Sequence, residues 1–116
     1  MKYKVIDPYN DAPEHPIKIE KGEVLKVVEQ SDPNGPWPNW VNCKGIGKQG
    51  WVPKQILDIE GEQAVTNQDY YAKEHHLALG ETLIAEYSLN GWIWGTKEGE
   101  SDNSAWAPLN HLQKVL

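Results

Sequence analysis

The sequence predicts an all-β chain of short strands, on three observations. Apolar and polar residues alternate over short runs, and no stretch of the 116 residues keeps the 3.6-residue period of a helix. The 10 glycines and 8 prolines interrupt the chain every few residues, which leaves little room for helices longer than a single turn. A hairpin pattern also occurs twice, once in each half of the chain.

The first copy of the hairpin covers residues 40–53. Because alternate residues of a strand point to opposite faces, its two arms separate small side chains from large ones. The inner face is expected to bury Val41, Cys43 and Val52. The other face is expected to display Trp40, Trp51 and Pro53. Cys43 is then a small core residue rather than a nucleophile.

The second copy covers residues 91–108, with Ile93 and Ala107 on its inner face. The order Gly-Glu-x-Leu, Trp, Trp-x-Pro holds from Gly22 to Pro53 and again from Gly80 to Pro108, and the spacing changes only where loops are expected. The chain is therefore predicted to contain two repeats, residues 1–59 and 64–116, joined by a short linker at 60–63.

The remaining elements follow from local pattern and turn chemistry. Further strands are predicted at residues 4–7, 17–20, 24–29, 57–59, 64–66, 82–87 and 112–115. Loops are predicted at 9–16 and 31–38, where Pro, Asn and Gly are concentrated. Single helical turns are expected at 54–56 and 109–111.

Composition narrows the function classes. The net charge of −6 and a pI of about 5.1 argue against a general nucleic-acid binder, and all eleven cationic residues are Lys, so bidentate Arg contacts are absent. A single cysteine excludes an internal disulfide, and no apolar segment follows Met1. We therefore expect a cytoplasmic protein with no membrane span.

The sequence shows no constellation that would support catalysis. It has no glycine-rich phosphate loop, no nucleophile elbow and no carboxylate pair at a repeated position, so we expect no enzyme activity and no cofactor. His75 and His76 are adjacent, and adjacent residues of an extended chain point apart. We expect no metal site.

Each half resembles a Src-homology-3 (SH3) domain. In the first half the resemblance rests on residues 5–9 at the family's opening motif, 17–25 at its diverging turn, Trp40 with Val41 at its double-tryptophan position, and 50–57 at its Gly-aromatic-aliphatic-Pro close. It implies two small five-stranded, strongly bent barrels in tandem. It also implies an aromatic-lined groove that takes a proline-rich peptide as a polyproline II helix.

Asp7 and Ile56 stand where the family has two groove tyrosines, and such departures resemble bacterial variant SH3 pairs. By the resemblance, the ligand-binding residues of the first repeat are Tyr9, Asp11, Glu14, Trp37, Trp40 and Pro53. Those of the second are Tyr70, Trp92, Pro108 and Asn110. The first repeat is expected to bind better, because Asp11 and Glu14 lie in the loop that reads a ligand's basic residue.

Three explanations of the tryptophans stay open: a ligand platform, cross-strand packing, or an interface between the repeats. The expected function is a non-catalytic module that binds a protein or a peptide, including proline-rich ones. The alternative is a domain that binds bacterial cell-wall peptidoglycan. Nothing in the sequence separates the first reading from a subunit that associates with a second copy of itself.

Overall fold

The computed structural model describes residues 1–100 and 102–116, which form short antiparallel strands. The strands are β1 (Lys2–Val5), β2 (Lys18–Ile19), β3 (Val24–Gln30), β4 (Trp40–Gly45), β5 (Lys48–Pro53), β6 (Leu57–Glu60), β7 (Gln63–Thr66), β8 (Tyr70–Tyr71), β9 (Thr82–Leu89), β10 (Trp92–Lys97), β11 (Ser104–Pro108) and β12 (Leu112–Val115). Among these residues, helix is confined to the 3₁₀ turns Lys54–Ile56 and Leu109–His111. The prediction of an all-β chain with two single helical turns is confirmed.

Each 3₁₀ turn begins directly after a proline that ends a strand. Pro53 has φ −59° and ψ 130°, and Pro108 has φ −73° and ψ 129°. A proline ring holds φ near these values and carries no backbone N–H, so the strand ends there without leaving a donor unpaired. The two turns lead directly into β6 and β12.

The chain folds into two compact units. Unit 1 consists of Met1–Glu14 together with Lys73–Leu116, and unit 2 of His15–Ala72. Residues 60–63, expected to be a linker, form a tight turn inside unit 2. Glu60 pairs with Gln63 at the ends of β6 and β7, and Gly61 takes the left-handed φ of +62° that this turn requires.

Unit 2 contains a five-stranded antiparallel sheet in the order β5-β4-β3-β7-β6 and the separate pair β2-β8. The hairpin β4-β5 has the expected register, with Val41 opposite Val52 and Cys43 opposite Gly50. Val41, Cys43 and Val52 are completely buried, which confirms the predicted inner face.

Unit 1 contains a five-stranded antiparallel sheet in the order β11-β10-β9-β1-β12. Its buried core consists of Val5, Leu77, Leu83, Ile93, Ala107 and Leu112. The predicted burial of Ile93 and Ala107 is confirmed. In both units the strand pairing is open, so the structure supports an SH3-like all-β arrangement without closing either sheet into the expected barrel.

Two hairpin side chains that lie outside the predicted inner faces, Trp106 and Pro53, are buried. Trp106 is only 4% exposed, because the rings of Trp94 and Tyr87 pack edge-on against it at centroid distances of 5.3 and 5.6 Å. Pro53 is also buried, directly opposite the larger side chain of Trp40. The expectation that Pro53 would be displayed is wrong, whereas Trp51 is exposed as predicted.

Candidate functional site

In unit 1, Tyr9 is held in place by its own backbone. Its N–H donates to the carbonyl oxygen of Leu77 at 3.0 Å, and the N–H of Leu77 donates back to the Tyr9 oxygen at 2.8 Å. The Tyr9 ring meets Trp92 at a centroid distance of 5.9 Å and His111 at 5.3 Å, with interplanar angles of 82° and 77°. Such edge-on contacts are favoured by the charge distribution of aromatic rings. Three rings are thus fixed in one array.

The array is built on the end of the hairpin β10-β11. Trp92 begins β10, directly opposite Pro108 at the end of β11. The 3₁₀ turn Leu109–His111 follows, and the N–H of Leu109 donates to the carbonyl oxygen of Gly91 at 2.9 Å. This bond ties the turn that carries His111 to the start of the strand that carries Trp92.

His111 is oriented by the segment that follows β1. Its Nδ1 donates to the carbonyl oxygen of Asp7 at 3.0 Å and lies 3.6 Å from the Asp7 carboxylate. Asn110, in the same 3₁₀ turn, is exposed. His111 therefore fixes one end of the array, with a polar, exposed residue beside it.

A carboxyl group borders the other side of Tyr9. The Tyr9 hydroxyl donates to Oε1 of Glu74. Burial raises the pKa of Tyr9 above its ordinary value, and the hydrogen bond to Glu74 adds to the rise. Burial also raises the pKa of Glu74, against the effect of the Tyr9 hydrogen bond, and the negative charge of Asp11 raises it further. The array therefore joins aromatic rings to two acidic groups, an environment that favours a cation.

The structure divides the predicted site residues between the units. Unit 1 contains Tyr9, Asp11, Glu14, Trp92, Pro108 and Asn110. Unit 2 contains Trp37, Trp40, Pro53 and Tyr70. Tyr9 therefore belongs to the unit of Trp92 rather than that of Trp40, although the sequence order grouped it with Trp40.

In unit 2 the predicted tyrosine is more enclosed than Tyr9. Tyr70 is only 8% exposed, and its hydroxyl donates to the carbonyl oxygen of Trp51 at 3.5 Å. Trp40 is half-buried, and its Nε1 is buried with no hydrogen-bond partner among the described residues. Trp37 is exposed at 39%. Pro53, like Pro108 in unit 1, is buried.

Glu74 is the site residue that the sequence reasoning missed. It lies 65 residues from Tyr9, outside the strands and turns predicted from the sequence. Its backbone bridges to Trp106 on β11, and this pairing holds the segment beside Tyr9. No local sequence pattern indicates this contact, because it depends on the pairing of the Glu74 segment with β11, and Glu74 and Tyr9 are far apart in the sequence.

The other candidate groups of the chain have structural roles. Burial raises the pKa of Cys43 to about 11, so its thiol is not a nucleophile at neutral pH. His75 is buried while His76 is exposed, so the adjacent rings point apart. In the described part of the chain, no three His, Cys, Asp or Glu side chains come together as a metal site would need. No helix within those residues is long and apolar enough to cross a bilayer.

The all-β fold of short antiparallel strands is consistent with an SH3-like protein. The chain belongs to the variant SH3 domain family, whose model matches residues 2–60. SH3 domains are generally protein-interaction modules without catalytic activity. The second half of the chain lies outside this match.

Two curated relatives contain regions similar to this chain. Human protein PALS2 is 35% identical over 68 residues, covering 55% of this chain and 12% of PALS2. An SH3 and F-BAR domain-containing protein of Dictyostelium discoideum is 28% identical over 120 aligned positions, covering 92% of this chain and 22% of that protein. The chain thus spans less than a quarter of either relative. No solved structure matches it.

Proposed function

We propose that the chain is a non-catalytic module that binds a protein or peptide through a groove in unit 1 centred on Tyr9 and Trp92. The observation that carries this proposal is the array of Tyr9, Trp92 and His111 beside the carboxyl group of Glu74. A rigid aromatic surface suits a polyproline II peptide, which loses little conformational entropy on binding.

The acidic groups favour a ligand that carries a Lys or Arg beside its prolines. Glu74 is half-buried, and Asp11 is exposed and close enough to affect its charge. A cation placed between them would be attracted to both carboxylates, and the desolvated position of Glu74 would strengthen that attraction. The proposed ligand is therefore a proline-rich segment with a flanking basic residue.

Unit 2 is the weaker candidate in this proposal. Its tyrosine at the matching place, Tyr70, is buried and uses its hydroxyl within the unit. The indole N–H of Trp40 is covered, whereas a groove tryptophan needs that donor to be accessible to a ligand carbonyl. The carboxylates of Asp11 and Glu14, which favoured the first repeat in the sequence, lie in unit 1.

Isothermal titration calorimetry of the full chain with two peptides tests the proposal. One peptide is proline-rich with a flanking Lys, and the other has Ala in place of that Lys. We expect the Lys peptide to bind more tightly by about two- to fivefold, as expected for a partly exposed ion pair.

Two variants locate that preference. Glu74→Gln is expected to remove most of the difference between the peptides, while Glu60→Gln, a loss of the same charge in the turn of unit 2, is expected to leave it unchanged. Absence of binding to both peptides would contradict the proposal. So would co-sedimentation with purified cell wall at concentrations at which neither peptide binds, since this would favour the peptidoglycan alternative.

A further inference from the structure

The two units have sheets of the same design. In each, a hairpin pairs with a long strand, β9 in unit 1 and β3 in unit 2. The next strand in the sheet is β1 in unit 1 and β7 in unit 2. The last strand, β12 or β6, directly follows a 3₁₀ turn. The five-stranded sheet of unit 2 thus has the same arrangement of strands as that of unit 1.

Backbone hydrogen bonds show that β1 and β7 occupy equivalent places. The N–H of Val5 donates to the carbonyl oxygen of Glu81 at 2.8 Å. The N–H of Thr66 donates in the same way to Glu23 at 3.0 Å. Glu81 and Glu23 both stand in the repeated Gly-Glu-x-Leu motif, so Val5 and Thr66 are equivalent residues of their units.

The residues after these strands match as well. The N–H of Ile6 donates to the carbonyl oxygen of His111 at 2.9 Å, and the N–H of Asn67 to that of Ile56 at 2.8 Å. His111 and Ile56 end the two 3₁₀ turns. Tyr9 lies four residues after Val5, and Tyr70 lies four residues after Thr66, so the two tyrosines are equivalent.

The stretch of chain that matches the family does not correspond to a single sheet of the structure. It covers residues 2–60, a range that begins with β1 and ends with β6, so we infer that β1 is the first strand of the matched domain and β6 its last. In the structure, the place between β3 and β6 is taken by β7, and β1 lies between β9 and β12. Each half of the sequence has its first strand in the sheet of the other half.

We propose that the chain consists of two SH3 repeats that have exchanged their first strands reciprocally, so that each groove takes its tyrosine from the opposite half of the sequence. As far as it concerns ligand binding, this inference rests on the function proposed above. Tyr9 then acts with Trp92 and Pro108, and Tyr70 is the matching tyrosine for Trp40 and Pro53.

Inner side chains favour the exchanged pairing over the sequential one. Thr66 is 2% exposed, and its hydroxyl donates to the carbonyl oxygen of Glu20 at 2.5 Å and accepts from the N–H of Glu23 at 3.0 Å. In the sequential arrangement Val5 would stand there without a hydroxyl. Thr66 would then bury its hydroxyl in the apolar core of unit 1.

A second pair of equivalent positions also favours the exchanged pairing, because the two side chains differ in size. Ala64 is completely buried in unit 2, and Tyr3 packs against the core of unit 1 at the equivalent place. Sequential pairing would force the Tyr3 ring into the space of Ala64 and leave a void where Tyr3 now lies. Both changes destabilise a packed interior.

Engineered cysteine pairs in the full chain distinguish the two arrangements. Lys4 lies opposite Gln113 in the exchanged sheet, whereas sequential pairing would bring it opposite Asp58, which now faces Val65. Lys4, Gln113 and Asp58 are exposed, so replacing them with cysteine disturbs no core contact. Both pairs are made in a Cys43→Ala background, which removes the native thiol.

We expect Lys4→Cys with Gln113→Cys to form an intramolecular disulfide under mild oxidation, with a shift in non-reducing electrophoresis that reductant reverses. Lys4→Cys with Asp58→Cys is expected to remain reduced, because a disulfide needs closely placed β-carbons. In the unmodified protein, we expect NMR to detect cross-strand contacts between the backbone protons of Lys4 and Gln113. No ligand is involved, so a formed disulfide without peptide binding would overturn only the proposed function.

The exchange is overturned if the first pair fails to form its disulfide, or if the second pair forms one as readily. A disulfide of the first pair that links two chains at high dilution would also overturn it, because the strand would then be exchanged between copies.

Discussion

Gly95 occupies a confined backbone position in unit 1. A β-carbon there would lie 2.3 Å from the carbonyl oxygen of Ile84, where β9 and β10 shift register. We predict that Gly95→Ala lowers the free energy of unfolding by about 1–3 kcal/mol, because the strands must separate to admit the methyl group.

Chemical denaturation measures this change. Gly35→Ala is the control, since the nearest atom to its added carbon, at 3.2 Å, belongs to the side chain of Asp32 in an exposed loop. Equal stability of the Gly95 variant and the parent chain would show that the two strands are not so close.

His75 is a buried titratable residue whose protonation makes stability depend on pH. It is 3% exposed, and its Nε2 donates to the carbonyl oxygen of Gly95 at 2.9 Å. Burial lowers the pKa of His75 below its ordinary value of 6.5, and the Gly95 hydrogen bond opposes this. Below pH 6.5 the unfolded chain binds the proton more readily, so stability present above that pH is lost as the pH falls towards the folded pKa.

We therefore predict that the free energy of unfolding decreases as the pH is lowered from 7 to 5, measured by denaturant titration at each pH. His75→Gln should flatten this dependence. His76→Gln, at the exposed neighbouring position, should leave it unchanged. If the His75 variant keeps the full slope, another group is responsible.

At the scale of elements, Thr66 connects β7 to the turn before β3. Its buried hydroxyl contacts Glu20 and Glu23, and removing it leaves the Glu20 carbonyl oxygen without this donor. We predict that Thr66→Val lowers the free energy of unfolding by about 1–3 kcal/mol. Thr82→Val, at a half-buried position that begins β9, is the control for the change in side-chain shape. Equal effects of the two substitutions in chemical denaturation would contradict the role given to Thr66.

Local elements of this fold are predictable from the sequence, but the partners of the first strands are not. The hairpin of β4 and β5 follows from alternation, and the 3₁₀ turns follow from Pro53 and Pro108. The strands β1 and β7 are short, and their apolar alternation alone is compatible with either place beside a Gly-Glu-x-Leu motif. Their choice depends on interior contacts such as that of Thr66, between residues far apart in the sequence.

Because strand partners were not predictable, the contacts of Tyr9 with Trp92 and Glu74 were not predicted either. The sequence order put Tyr9 with Trp40, whereas the sheet puts it with Trp92. Glu74 reaches Tyr9 only because its segment follows unit 2 and returns along β11. Aromatic residue types were therefore predictable, and their combination into one array was not.

At the scale of the whole molecule, we propose that unit 1 binds the ligand. Its most direct test is calorimetric titration of the full chain, Trp92→Ala and Trp40→Ala with the Lys-bearing proline-rich peptide, after far-UV circular dichroism has shown that each variant is folded. We predict that Trp92→Ala weakens binding by about thirtyfold, the loss of about 2 kcal/mol typical of a central aromatic residue. Trp40→Ala should change the affinity by less than about threefold. Equal losses, or a larger loss at Trp40, would show that ligand binding does not centre on unit 1.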